Sequence, residues 1–203
     1  MHVCVRDVDV TKSDSGDEAT PFDRWFARSK IVDRDGLPKI VFHGTYSDIV
    51  AFRPAKRRAA LGFHFGSISQ AEFFAGYHTR RSKLPFGCIM PVYLRIERPI
   101  RMPDIFTRGR SGSEVVAEWL FDNGIAEKGE CAKIYRTSSL CKAYDRIINA
   151  FEAAGFDGVV YENEHEGGTA TSNEDSYIAF RPEQVKSVFN RGTFEPANPD
   201  ILL

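Results

Sequence analysis

The chain has 203 residues, 42% hydrophobic and 27% charged, which is enough to bury one sizeable core in a single domain of ordinary globular composition. A formal net charge of −1 excludes a global electrostatic pull toward nucleic acid or anionic membrane, and neither a bilayer-length apolar run nor a signal-peptide pattern is present. Four scattered cysteines, Cys4, Cys88, Cys131 and Cys141, without a C-x-x-C pair argue against a zinc site or a disulfide framework, so no metal and a reducing, cytoplasmic setting are expected; delivery by a phage or a secretion machine stays open.

Residues 3–10 alternate apolar and polar and read as an edge strand, followed by a small, acidic, flexible connector over 12–19. We therefore set residues 1–20 apart from a single domain over 21–203. Thr20-Pro21 is a helix-start signal, an N-cap followed by Pro at the first helical position. Phe22, Trp25, Phe26 and Ser29 share one face of that helix.

Asp33-Arg34-Asp35-Gly36 predicts a turn and 39–43 a short β-branched strand ending at His43. Residues 62–66, Gly-Phe-His-Phe-Gly, predict a second strand, after which Ser67 or Ser69 caps a helix carrying Ala71, Phe73, Phe74 and Tyr77. Residues 88–97 alternate strictly at Met90, Val92, Leu94 and Ile96, a half-buried strand ended by Arg98-Pro99. Two amphipathic helices are predicted over 112–123 and 138–154, with Gly155 as a left-handed cap. Strands at 157–162 and 176–180 flank a polar loop over 163–175. The fold class is α+β, with short, mostly antiparallel strands and a helical insertion around 104–154.

Three places carry chemistry. His43-Gly44-Thr45 closes a strand; His43 can present a ring nitrogen as donor to a ligand hydroxyl, and Gly44 lets a ligand approach the backbone. Phe63 and Phe65 lie on one strand face and His64 on the other, where a flat ring can stack on a heterocycle. Glu174-Asp175-Ser176 puts carboxylates at a strand entrance, suited to supporting an oxocarbenium-like centre or activating a nucleophile. Arg57 and Arg58, within a short basic cluster, suit a pyrophosphate. Each pattern alone has an ordinary structural reading: a turn-satisfied histidine, a buried strand, a solvated acidic loop, exposed solubilising charge.

Taken in order, these blocks resemble the ADP-ribosyltransferase superfamily on its diphtheria-toxin and poly(ADP-ribose)-polymerase side, and in particular the domains of phage polyvalent and virion-associated proteins. The likeness runs through Val41-Phe42-His43-Gly44-Thr45, Gly62-Phe63-His64-Phe65-Gly66-Ser67 with Gln70-Ala71, Pro91-Val92-Tyr93-Leu94, Phe156-Asp157-Gly158-Val159-Val160-Tyr161 and Asp175-Ser176-Tyr177-Ile178. It implies a split antiparallel β core with an NAD cleft between its halves. His43 would bond the adenosine-side ribose, Gly44 would hold the nicotinamide carboxamide through its backbone, and His64 would stand where the family often stacks a tyrosine. Thr45, Phe63 and Ser67 belong to the same blocks, Tyr77 would form a second wall, and Arg57 or Arg58 would reach the pyrophosphate.

Polymerase-type members carry a glutamate at the position of Ser176, so Asp175, Glu174 and Ser176 are the candidate catalytic set. The implied activity is transfer of a single ADP-ribose from NAD to a macromolecule, a protein rather than a nucleic acid, with NAD hydrolysis as a side reaction. An inactive NAD or ADP-ribose binding module and a phage or toxin-like effector's interaction domain are the alternatives.

Overall fold

The computed structural model describes residues 18–53, 60–82, 87–105, 111–164 and 174–203. The edge strand expected at 3–10, the connector over 12–19 up to residue 17, and Arg57 and Arg58 lie outside the described residues, as does the side chain of Tyr77.

The described residues open with α1 (Pro21–Phe26), N-capped by Thr20 as the sequence predicts: Thr20 accepts from the Asp23 backbone, and the Asp23 carboxylate in turn accepts from the Thr20 N–H. Those bonds hold the Asp23 carboxyl below its ordinary range. Trp25 and Phe26 are buried, and Phe22 packs on Tyr93 and Phe194 with ring centroids 4.8 and 5.0 Å apart. Ser29 reaches the Leu94 carbonyl at 2.6 Å and ties the helix exit to the core.

Among the described residues seven strands follow: β1 (Val41–Thr45), β2 (Phe63–Phe65), β3 (Cys88–Leu94), β4 (Pro99–Met102), β5 (Gly158–Glu162), β6 (Asp175–Ala179) and β7 (Val185–Ser187). The helices α2 (Ile68–Ser82), α3 (Gly112–Asp122), α4 (Lys128–Tyr135) and α5 (Leu140–Ala153) join them. One sheet has the order β1-β3-β7 and the other β2-β6-β5-β4. The expected split core is therefore two sheets, but it is not antiparallel throughout: β4 and β5 run parallel. The physical reason is their connection, since a chain that leaves β4, passes through α3, α4 and α5 and returns on the same side delivers β5 in the same direction.

The second sheet is buried on both faces. Val160, Tyr177 and Ala179 point at Val41, Val92, Leu94 and Val185 of the first sheet, whereas Val159, Tyr161 and Ile178 point at Val116, Leu120, Ile147 and Phe151 of the helices. Strict alternation along β6 thus sends neighbouring residues into different layers. Gly155 ends α5 with φ +93°, the left-handed cap that its position predicts.

Lys186 is fully buried on β7. Its ammonium donates to the carbonyls of Asn198 (2.9 Å), Asp200 (2.8 Å) and Leu203, which gathers the last residues of the chain against the first sheet. Burial pushes its pKa down from the ordinary lysine value. Lys186→Met would strand these carbonyls, and we expect it to cost about 2–4 kcal/mol in urea unfolding; a loss near zero would mean that the tail is held by other contacts.

Candidate functional site

The two sheets meet edge to edge through Phe42 and Gly66, which exchange backbone bonds of 2.9 and 3.0 Å. The backbone groups of Phe42 thus point away from β3, where its partner is Pro91, a residue with no N–H to offer. Two residues on, Gly44 directs its N–H and C=O at that same edge, past the bridge and into the gap. A cavity of about 610 Å³ occupies the gap, lined by β1, β2, the start of α2, the ends of β5 and β6, and Phe52.

His43, Gly44, Thr45, Phe63, His64 and Ser176 all line this cavity. Ser67 does not, because its hydroxyl caps α2 by accepting from the Gln70 N–H. Gly44 has a packing role in addition to the open backbone expected of it. A Cβ there would stand 2.1 Å from the Ala71 carbonyl, so only glycine lets the backbone of α2 press on β1.

His43 differs from its expected posture. Its Nδ1 lies 2.8 Å from the His64 carbonyl, an atom that can only accept. In the neutral ring Nδ1 is therefore the donor and Nε2 the acceptor, so toward a ligand hydroxyl the ring accepts rather than donates. Phe52 and Phe65 hold the ring at centroid distances of 5.1 and 5.6 Å.

The carboxylates divide by strand parity. Ser176, with 4% exposure, faces the cavity, whereas Asp175 points to the other face and takes a two-pronged bond from Arg101 at 2.8 and 2.7 Å. No bulge interrupts β6: Tyr161 pairs with Ser176 and Glu162 with Asp175. Glu174 is exposed just ahead of the strand, shares the parity of Ser176, and has no ion pair among the described residues.

Two polar residues of the site escaped sequence reasoning. Gln70 is 2% and Asn163 1% exposed, and both bond to Ser176. Ser67-x-x-Gln70 is a capping-box pattern and was a legible signal for the first; nothing local marks Asn163. Among the described residues no cluster of His, Cys, Asp or Glu could hold a metal ion, and no helix is long and apolar enough to cross a membrane.

His64 is the most strongly perturbed titratable group of the cavity among the described residues. Burial, with a smaller push from His43, lowers its pKa from 6.5 to about 4, and its bond to the Leu61 backbone only partly opposes this. Its Nε2 is buried with no hydrogen-bond partner among the described residues. Because the folded-state pKa is depressed, the unfolded chain binds this proton more readily. Stability is then fully present above pH 6.5 and lost as the pH falls toward 4. In unfolding titrations, wild type should lose up to about 3 kcal/mol relative to His64→Phe between neutral pH and about 4. A gap between the two proteins that stays constant across that window would contradict a neutral buried ring.

Comparison with known proteins adds the family. No curated protein matches the chain in sequence. Among solved structures, a protein described as an anti-CRISPR protein matches over 72% of this chain and 91% of its own, at 13% identity and a TM-score of 0.31, a likeness too loose to carry an argument. Residues 33–194, well over half the chain, match the family described as ADP-ribosyltransferase in polyvalent proteins. The span takes in both strands of the Phe42–Gly66 junction, α2, the helical layer and β6, and the chain belongs to that family of ADP-ribosyltransferase domains.

Proposed function

We propose that the protein is an NAD-dependent mono-ADP-ribosyltransferase and that the cavity at the sheet junction takes the NAD. The observation that carries this reading is the convergence of His43, Gly44, Phe63, His64 and Ser176, from three strands of two sheets, on one 610 Å³ space. Gly44 offers an amide and a carbonyl to a carboxamide, Phe63 and His64 offer flat surfaces to a heterocycle, and the Nε2 of His43 accepts from a ribose hydroxyl.

In the reaction, the bond between the nicotinamide nitrogen and the ribose carbon breaks with its electron pair leaving on nicotinamide. A nucleophile of the acceptor then bonds to that carbon and gives up its proton. Among the acids, Glu174 is our choice to support the positive ribosyl centre, because it shares the parity of the cavity-facing Ser176 and Asp175 is engaged by Arg101. The acceptor is a protein rather than a nucleic acid, in keeping with a net charge of −1.

One observation favours a second reading. Ser176 supplies no charge where polymerase-type members carry glutamate, as a module that binds NAD or ADP-ribose without turnover would have it.

Nicotinamide release from NAD, with and without host lysate, separates these readings. We expect Glu174→Gln to slow release about 100-fold and Asp175→Asn to leave it essentially unchanged. Reversal of that order would transfer the role to Asp175. NAD that raises the melting temperature without any release would favour the binding module, and an absence of both effects would leave an interaction domain. Calorimetry on His43→Ala should show NAD binding weakened by about 1–3 kcal/mol; unchanged affinity would remove His43 from the site.

A further inference from the structure

A second cavity, of about 250 Å³, lies between the second sheet and the helical layer. Leu61, Met102, Val159 and Ile178 form its sheet side, and Val116 of α3 and Tyr144 of α5 its helical side. Among the described residues none of β1 or α2 lines it, so it is a separate space from the junction cavity, which it meets at Ala60, His64 and Tyr161. His64 brings a polar atom into these apolar walls. It pairs with Ile178 across β2 and β6, and directly opposed residues share a face, so its side chain leaves β2 on the helical side. The bond between this ring and the Leu61 backbone favours the protonated form, so a ring N–H donates to the Leu61 carbonyl. Nε2 is buried with no partner among the described residues, so the donor is Nδ1 and, in the neutral ring, Nε2 keeps a lone pair. Nε2 is also at the far end of the imidazole, the end that enters the space between sheet and helices.

We infer that this cavity binds a small, uncharged molecule with an apolar ring and one O–H or N–H donor, phenol being the simplest case, and that His64 Nε2 accepts that hydrogen. Size sets the first requirement. A cavity of roughly 150 Å³ is enough to hold benzene, so 250 Å³ takes a ring with a substituent. The lone pair sets the second: it can only accept, and a molecule of the same shape with no hydrogen to give leaves it buried and unsatisfied. Charge sets the third. The Asp104 carboxylate lines the cavity, with Oδ2 taking the Glu164 N–H at 3.0 Å, and it repels an anion. A cation would have to shed its hydration among the aliphatic side chains of the walls. None of these requirements involves NAD, so the site is independent of the function proposed for the junction cavity.

The test is NMR titration of phenol and of fluorobenzene, a ring of similar shape with no donor, into wild type, His64→Phe and Val116→Phe at neutral pH. The ratio of phenol to fluorobenzene affinity should be about tenfold higher in wild type than in His64→Phe, which keeps an aromatic ring and removes the lone pair. The His64 Nε2 nitrogen resonance of wild type should move with phenol and stay in place with fluorobenzene. Val116→Phe, which fills the cavity from α3, should bind neither; if it does not fold, the nitrogen resonance locates the phenol by itself. The same ratio in wild type and His64→Phe, or phenol binding that leaves the Nε2 resonance in place, would overturn the inference. Failure of phenol to bind wild type would overturn it too, and would leave a cavity that takes water only.

Discussion

The two backbone bonds between Phe42 and Gly66 are the constraint on which the site depends. They are where the edge of the first sheet touches the second, and the strands part beyond them. Had β1 and β2 paired along their whole length, the amide and carbonyl of Gly44 would be consumed in a ladder. Because pairing stops after one bridge, backbone polarity that a sheet would normally satisfy is presented to a cavity. The junction in turn needs a glycine at position 44 and fits closely around Gly66. A side chain at Gly44 would collide with the Ala71 carbonyl, and one at Gly66 would stand 1.9 Å from Gln70 Oε1.

Gln70 does two jobs from one amide. As the third residue of α2 it closes a reciprocal cap with Ser67, and from the same place it bonds Ser176 and the Glu174 carbonyl. Helix start, β6 and the entrance of the acidic segment are therefore one hydrogen-bonded unit. Among the described residues, the polar side chains closest to it are serine, glutamine, asparagine and a histidine whose burial disfavours its charged form, while His43 and Arg53 also line the cavity. Charge enters from the rim, where Glu174 is exposed and Arg101 holds Asp175 on the far face in a solvent-accessible pair worth about 0–1 kcal/mol.

Much of the architecture was legible because local rules and tertiary demands agree. Thr20 and Asp23 cap α1, Gly155 ends α5, and the alternation of Met90, Val92 and Leu94 marks β3. Parity along β6 was equally readable and already separates Ser176 from Asp175. Other features were not legible, each for a physical reason. The parallel pairing of β4 with β5 is decided by three intervening helices rather than by either strand. The helix α4 buries only Cys131 and Ile134 and has no side-chain cap to announce it. The strands β4 and β7 are too short to show a period. The bond from Ser176 to Gln70 spans 106 residues, and no local pattern encodes a contact at that separation. The posture of His43 was missed because the carbonyl that takes its proton belongs to β2, on the opposite side of the junction.

The strand order β2-β6-β5-β4 has a consequence for how the protein is made. β6 sits between a strand from early in the chain and one from the middle, so the ribosome must deliver it before either neighbour has its final partner. Until then the facing edges of β2 and β5 are unpaired and the helical layer has only part of a sheet to pack on. β6 is the strand that joins β2 to β5 and brings Ser176 to Gln70. The walls that β1, β2 and α2 give the cavity are thus made early, and its last side arrives only with β6.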